Sequence, residues 1–297
     1  MISIITAIYN QIDMNRLFWK YLLKYTDSPF ELIIIDNAST DGSREFFQSL
    51  SEYNVKVVAN DANYSYPHCQ NQGIALAKHE ILVFLNNDLL VSAHWDTRLL
   101  ELLGKDKCDV LSFATSDRMC DATLTKRISR KWKRIKYPLI AIFGQRLFAL
   151  KLMVTLCYGN WEKYTEKIFH SYGYSLSTGF SGSAIAMTRR ALELLGKWDI
   201  TQQGADFDLF YRSCFRAETY GDIKPISILN GVFMHHYRRL TLYAKNRPPF
   251  KDGNNLTSIS SKWKKEQMDL WNRYINFECE YPDFTIDTNA TETHDYH

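Results

Sequence analysis

Three short polar residues, Asn86, Asn87 and Asp88, follow an unbroken apolar run at 81–85. A short apolar run with polar flanks predicts a buried strand. Ligands of open α/β sheets bind at the carboxyl ends of strands. A carboxylate beside amide oxygens suits a hard divalent cation such as Mg²⁺ or Mn²⁺, which can hold a diphosphate. The alternative interpretation is a strand that ends in an Asx turn.

Polar residues also end the first two predicted strands. The first ends at Thr6, Tyr9 and Asn10, and the second ends at Asp36 and a polar stretch at 37–43. Neither is a G-x-G-x-x-G loop or a P-loop, so NAD and Walker-type ATP binding are disfavoured and a metal would have to meet the phosphates. The stretch also suits a helix N-cap, while Asp36 could accept a hydrogen bond from a base or a ribose hydroxyl.

The elements that position these residues alternate between strand and helix over residues 1–115. The predicted strands are 2–8, 31–36, 55–58, 81–85 and 109–113. Helical spacing of apolar residues between them predicts helices, among them 13–25, 70–78 and 96–103. This alternation predicts a mostly parallel central sheet, flanked by helices, whose strand-end loops build a nucleotide site.

Composition sets the class of protein. The chain has 297 residues, of which 45% are hydrophobic, enough for one large domain or two small ones with a full core. Its six cysteines form no C-x-x-C pair, which disfavours zinc and favours a reduced, cytoplasmic protein. Met1 leads directly into an apolar strand, so we expect no signal peptide, and no stretch reaches the roughly 18 apolar residues of a membrane span.

Six blocks of sequence carry a family resemblance. They lie at 3–10, 31–43, 69–77, 84–88, 178–190 and 206–212, and in this order they resemble the family 2 glycosyltransferases. The resemblance implies the GT-A (Rossmann-like) fold of the nucleotide-diphospho-sugar transferase superfamily. It also implies an inverting enzyme that uses a UDP, dTDP or GDP sugar and a divalent metal, Mn²⁺ or Mg²⁺.

The resemblance also divides the chain. A GT-A domain would span 1–240, with a nucleotide-sugar-binding half at 1–115, a helical insertion at 116–176 and an acceptor or catalytic half at 177–240. A C-terminal helical appendage and tail would span 241–297, where apolar residues at helical spacing predict an amphipathic helix over 261–277. Such a stripe packs on the body of a protein more often than on a partner.

Roles for single residues follow from the same resemblance. The residues implied to lie at the donor are Thr6, Tyr9, Asn10, Asp36, Asn71, Gly73, Asn86 and Asn87. Asp88 would be the metal ligand. The family's D-x-D motif is reduced here to its last acid, which leaves full metal dependence open.

The catalytic base is expected at 204–208. The family's base aligns with Asp206, and Ala205 replaces a glutamate that many relatives carry. An inverting transfer needs such a carboxylate to deprotonate the acceptor hydroxyl. Asp208 lies four residues before Arg212, which suits an intrahelical ion pair and a structural role.

Two adjacent histidines follow a strand-like run at 226–234. Relatives often place a histidine here near the metal or diphosphate, and we predict His235 as this second metal ligand. Adjacent strand residues face opposite ways, so at most one of His235 and His236 should reach the site, and an interfacial histidine with no ligand is the alternative. Arg238 and Arg239 could meet phosphate or remain solvated.

The insertion has an unusual charge pattern. Between Asp121 and Glu162 the chain has no acidic residue and nine basic ones. The basic residues are Lys126, Arg127, Arg130, Lys131, Lys133, Arg134, Lys136, Arg146 and Lys151. With the apolar run that follows, this pattern predicts an interfacial helix on an anionic bilayer, peripheral at the inner face of the membrane. A lid with a basic outer face is the alternative, and no recognised module supports nucleic-acid binding.

These features together favour an inverting transfer of a sugar to a saccharide hydroxyl, in surface polysaccharide or glycan synthesis, with a lipid-linked acceptor as the partner that best suits the insertion. Two alternatives remain open. A non-catalytic membrane or scaffold module would explain the reduced D-x-D motif and the missing glutamate. A sugar nucleotidyltransferase would share the fold, although its Gly-rich, basic N-terminal signature is absent.

Overall fold

The computed structural model describes residues 1–238 and 248–282. Its strands are β1 (Ile2–Ile8), β2 (Phe30–Asp36), β3 (Val55–Ala59), β4 (Ile81–Leu85), β5 (Leu89–Leu90), β6 (Val110–Thr115), β7 (Leu176–Thr178), β8 (Ala184–Thr188) and β9 (Ser227–His236). Its helices are α1 (Ile12–Tyr25), α2 (Ser43–Gln48), α3 (Tyr66–Leu76), α4 (Trp95–Leu100), α5 (Ala122–Phe143), α6 (Leu147–Tyr158), α7 (Trp161–Tyr172), α8 (Arg189–Leu195), α9 (Ala205–Tyr220) and α10 (Lys265–Ile275).

The strands form one curved, mixed sheet in the order β3-β2-β1-β4-β8-β6-β9-β5, with β7 paired to β9. The first four strands are parallel, as the βαβ alternation predicts. Beyond β4 the sheet is mixed, because β8 runs antiparallel to both β4 and β6 while β6 and β9 are parallel. The alternation ends at residue 116, where three successive helices follow, so no βαβ crossover forces β8 into the parallel direction.

Two hydrophobic cores cover the two faces of the sheet. Successive strand residues point to opposite faces. Ile4 therefore packs in a core with α1 and α5–α7, while Ile5 packs in a core with α3, α9 and α10. Burial of both faces explains why the first strands read as continuous apolar runs rather than as alternating patterns.

The insertion contains three helices, α5, α6 and α7, which pack on the core that contains Ile4. Helices α5 and α6 form a hairpin. Helix α6 packs on α1 and α5, and α7 packs on β9. Helix α5 buries Ile128, Trp132 and Lys136 and exposes most of its other basic residues. Among the described residues, no helix combines the length and the apolar character that crossing a bilayer requires.

The segment 248–282 packs on the second core. Helix α10 buries Trp271 and Tyr274 beside α9, which is the packing on the body expected of its amphipathic stripe. The Trp271 indole donates to Glu218 of α9 at 2.8 Å. Helix α9, which carries the predicted base, is therefore held between the sheet and this segment.

Candidate active site

Three ionisable side chains meet where the ends of three strands converge. Asp88 follows β4, Asp117 follows β6, and His236 is the last residue of β9. His236 Nε2 lies 3.2 Å from Asp88 Oδ1, and its Nδ1 lies 2.6 Å from Asp117 Oδ2. The Ser116 hydroxyl fixes the backbone of His236 by accepting from its N–H at 3.1 Å and donating to its C=O at 3.0 Å. The ring therefore bridges the two carboxylates.

The charges of this cluster shift its pKa values strongly. Burial alone would lower the pKa of His236, but the charge of Asp88 and the hydrogen bonds to Asp117 and Asp88 raise that pKa to about 10. Burial would raise the pKa of Asp88, yet the charge of His236 and their hydrogen bond hold it below its usual value. The cluster is therefore an imidazolium between two carboxylates when no other cation is present.

The prediction that His235 is a metal ligand has to be corrected. Its ring is fully buried beside Trp132, 4.1 Å between ring centroids, and its Nδ1 lies 2.8 Å from the Tyr158 hydroxyl. Burial lowers the pKa of His235 well below its usual value, so this ring is neutral. The strand alternation was expected to send one histidine to the site, and the structure sends His236.

Asp206 borders a cavity of about 460 Å³ that also contacts His236. It is the second residue of α9, and its Oδ1 accepts from the Phe207 N–H at 3.0 Å. Desolvation raises the pKa of Asp206, partly offset by this hydrogen bond. Gly182 packs so closely that a methyl group there would overlap the Asp206 carboxylate. The carboxylate is thus half-buried in what we call the base cavity.

A second cavity, of about 280 Å³, lies on the other side of Asn86. Its residues are aromatic and amide side chains together with Asp88. They are Ala7, Ile8, Tyr9, Asn37, Tyr64, Tyr66, Asn86, Asn87, Asp88 and Phe250. Asn86 and Tyr66 also line the base cavity, and the Tyr66 hydroxyl has no hydrogen-bond partner within the described residues. We call this the aromatic cavity, and it adjoins the base cavity at those two residues, which line both.

Three of the residues predicted at the donor make structural contacts in the described part of the chain. Thr6 is fully buried within β1, and Asp36 is fully buried with its carboxylate 2.7 Å from Arg44 Nε. Asn10 accepts from the Thr40 N–H at 2.8 Å and so joins two loops. None of these three lines either cavity.

The two residues predicted at the donor from α3 also act in packing. Asn71 exchanges hydrogen bonds with the backbone of Trp198, at 2.7 and 3.1 Å. Gly73 allows α3 to approach β1, since a methyl group there would overlap Ile5. Asn71 and Gly73 therefore contribute to the packing of α3 on the rest of the protein. Of the residues predicted at the donor or the metal, those that line the aromatic cavity are Tyr9, Asn86, Asn87 and Asp88.

Asp208 has the structural role that its spacing suggests. Its carboxylate is fully buried and lies 2.8 Å from Arg212 Nε, one turn further along α9. It also accepts from the Trp263 indole at 2.9 Å and pairs with Lys262 at 2.9 Å. Asp208 therefore anchors the segment after residue 248 to the helix that carries Asp206.

Two residues of the site were missed or undecided at the sequence level. Asp117 has no motif, yet it follows a buried strand as Asp88 does, and that position could have identified it. Arg238 lines the base cavity and lies 3.4 Å from Asp117, so one of the two arginines is placed at the site. Arg239 lies outside the described residues.

Comparisons with known proteins agree with this architecture. The family model for glycosyl transferase family 2 matches residues 3–193, which is more than half of the chain. The protein therefore belongs to glycosyl transferase family 2. The family expected from the six sequence blocks is confirmed.

Individual relatives are distant. The chain is 26% identical over 113 residues to glycosyltransferase GlyG of Streptococcus pneumoniae and 24% identical over 114 residues to glycosyltransferase AglE of Haloferax volcanii. Each match covers 37% of this chain and 38% of the relative, so the chain matches less than two fifths of either protein. The crystal structure of GalNAc-T7 with UDP, GalNAc and Mn²⁺ superposes on 94% of this chain and 50% of that one, with a TM-score of 0.55 and 15% identity. The GT-A fold is thereby confirmed.

We expect His236 to remain protonated well above neutral pH in metal-free protein. Its raised pKa means that the associated stability is fully present below the usual histidine pKa of about 6.5 and is lost as pH rises through about 10. Nitrogen-15 NMR of the imidazole measures this titration directly. Asp117→Asn should lower the pKa of His236, and a His236 that titrates near 6.5 in wild-type protein would contradict the described geometry.

Proposed function

We propose that this protein is an inverting glycosyltransferase, which moves a sugar from a nucleotide-diphosphate donor to a saccharide hydroxyl. The observation that supports this best is a pair of adjoining cavities that share Tyr66 and Asn86. Asp206 borders the base cavity, Asp88 borders the aromatic cavity, and Asn86 borders both. A nucleoside in the aromatic cavity would bring its diphosphate to Asp88 and its sugar toward Asp206. UDP, dTDP and GDP donors remain alternatives.

Chemistry at the base cavity needs a proton acceptor. As the acceptor oxygen attacks the anomeric carbon, Asp206 takes its proton, and the nucleoside diphosphate leaves from the opposite face with the electron pair of the broken bond. The raised pKa makes Asp206 a stronger base than an exposed aspartate. Gly182 leaves the carboxylate the space it occupies.

The residues at the cluster fit a divalent metal, Mn²⁺ or Mg²⁺, held by Asp88 and His236. A metal bound there would displace the Nε2 proton of the imidazolium, while the hydrogen bond from Nδ1 to Asp117 would orient the ring, as such partners orient histidine ligands in metal sites. No group of three metal-ligating side chains occurs among residues 1–238 and 248–282. Two protein ligands suit a cation that takes its remaining ligands from phosphate and water. When bound, the metal would neutralise the leaving diphosphate.

The hairpin of α5 and α6 supports a peripheral membrane location and a lipid-linked acceptor, as in surface polysaccharide or glycan synthesis. The helices are antiparallel, since Lys131 donates to the Cys157 carbonyl at one end and Phe143 packs on Phe148 at the other. Large apolar side chains are exposed at its tip and along its length. They are Tyr137, Ile142, Phe143, Phe148, Leu152 and Leu156. Eight of the nine basic side chains are also exposed, which suits an anionic leaflet.

The Asp206→Asn variant should lose turnover by on the order of 10²-fold or more while retaining donor binding, because the amide keeps the shape but accepts no proton. The wild-type rate should fall toward acid pH at a higher pH than for an exposed aspartate, since a raised pKa protonates the base earlier. Steady-state kinetics across pH measure both. Glu193→Gln, an exposed carboxylate on α8, is the control. Near-normal turnover of Asp206→Asn would place the base elsewhere.

The Asp88→Ala variant should lose turnover and the part of nucleotide affinity that depends on Mn²⁺. Removal of the carboxylate leaves His236 as the remaining protein ligand that we propose for the metal. Isothermal titration of UDP, GDP and dTDP with and without Mn²⁺ measures the Mn²⁺-dependent part of the nucleotide affinity. The same titrations show which nucleotide the protein prefers. Glu101→Ala removes an exposed carboxylate as a control. Equal nucleotide affinity of Asp88→Ala and wild type in Mn²⁺ would contradict the assignment.

The triple variant Arg127→Gln, Arg130→Gln and Arg134→Gln should release the protein from anionic vesicles. Each cation near an anionic leaflet contributes roughly 1 kcal/mol, and salt should mimic the variant because screening acts within about 8 Å. Donor hydrolysis in solution should not change. Vesicle co-sedimentation measures the binding.

The choice of residues for this triple variant follows from the structure. Lys136 is buried, and Lys131 donates a hydrogen bond to the Cys157 carbonyl. Replacement of either residue would therefore disturb the packing of the hairpin as well as its charge. A matched control removes three exposed cations elsewhere, Lys197, Lys264 and Lys265. If wild-type protein ignores anionic vesicles even at low salt, the hairpin is instead an acceptor lid.

A further inference from the structure

A third, smaller cavity lies between α5 and the residue that follows the two histidines. Its volume is about 150 Å³, the space of roughly five water molecules. Its residues are Asp117, Ser129, Trp132, Lys133, Lys136, Tyr137 and Arg238. The space suits a phosphoryl group and is too small for a nucleoside. No residue of the family blocks described above lines it.

The lining of this cavity has a positive excess. Lys133, Lys136 and Arg238 contribute three cations, and Asp117 contributes one carboxylate. The ammonium of Lys136 is almost fully buried, where it donates to the carbonyls of Tyr237, at 2.8 Å, and Arg238. Burial of an ammonium group is unfavourable unless oxygen atoms accept its hydrogen bonds. A ligand with negatively charged oxygen atoms would therefore be favourable beside Lys136.

A neutral donor in the same lining also lacks a partner. Trp132 is 4% exposed, and its indole N–H makes no hydrogen bond within the described residues. A buried polar group without a partner destabilises a folded protein, because its hydrogen bonds to water have been lost and not replaced. An anionic oxygen in the cavity would supply the acceptor that the indole lacks. Charge and hydrogen-bonding capacity therefore point to the same class of ligand.

The position of the cavity indicates which substrate carries that ligand. It shares Asp117 and Arg238 with the base cavity and shares no residue with the aromatic cavity. A donor whose nucleoside fills the aromatic cavity has its diphosphate at Asp88. The third cavity instead adjoins the base cavity, and helix α5, which carries most of the exposed cations, supplies five of its seven lining residues.

We propose that this cavity binds a phosphoryl group of the acceptor, namely the phosphate ester that links a glycan to a lipid. This inference rests on the proposed function, because it assigns the acceptor side of the same site. Lys133 and Arg238 contact the phosphate oxygens, and the lipid chain leaves along α5 toward the apolar tip of the hairpin.

The test uses geranyl diphosphate and inorganic diphosphate as probes, titrated into the whole protein by calorimetry without donor or metal. Geranyl diphosphate should bind wild type, and Lys133→Gln should weaken this binding about tenfold, the loss expected for one charge-assisted hydrogen bond. Ser129→Leu should do the same by filling the cavity. Lys126→Gln is the matched control, since Lys126 is exposed two turns earlier on α5 and does not line the cavity.

Each outcome of this test decides between alternatives. Unchanged geranyl diphosphate binding in both Lys133→Gln and Ser129→Leu would overturn the proposal. Equal affinity for inorganic and geranyl diphosphate would overturn its lipid part. A raised KM for the sugar nucleotide in Lys133→Gln, with acceptor KM unchanged, would assign the cavity to the donor instead. Lys133-dependent binding of geranyl diphosphate in a protein that transfers no sugar would uphold the cavity and refute the glycosyltransferase function.

Discussion

The bridge that His236 forms between Asp88 and Asp117 is the interaction on which the site depends. It joins residues at the ends of β4, β6 and β9, strands that are not neighbours along the chain. The three strands must be in register before the two carboxylates and the ring can meet. Two carboxylates on either side of one ring would repel each other, so the positive charge of the imidazolium between them stabilises the convergence of the strand ends.

Strand alternation at the end of β9 separates the roles of two identical side chains. His235 points into the core, where Trp132 of α5 and Tyr158 of α6 enclose it, and His236 points into the site. Lys136 of the same helix α5 caps the carbonyls that follow the histidines. Helix α5 of the hairpin therefore contacts the same end of β9 that carries His236. A displacement of α5 would shift the backbone beside His236.

The fold was largely predictable, whereas the site was predictable only in part. Continuous apolar runs and helical spacing located β1–β4 and α1 because burial of both sheet faces imposes those patterns. Tyr9, Asn86, Asn87, Asp88 and Asp206 border the cavities, because each follows a strand or begins a helix at the ligand-binding edge. The choice between His235 and His236 required the register of β9, which depends on pairing with β6 and cannot be obtained from local sequence.

The anchoring of Asp208 has a consequence for how the protein is made. Two of its partners, Lys262 and Trp263, lie more than fifty residues later in the chain. During synthesis, helix α9 leaves the ribosome well before them, at a stage when domains already begin to fold. Until Lys262 and Trp263 arrive, the carboxylate that is buried in the finished protein relies on Arg212 and water. The helix that carries Asp206 therefore reaches its final environment only after the later segment has docked.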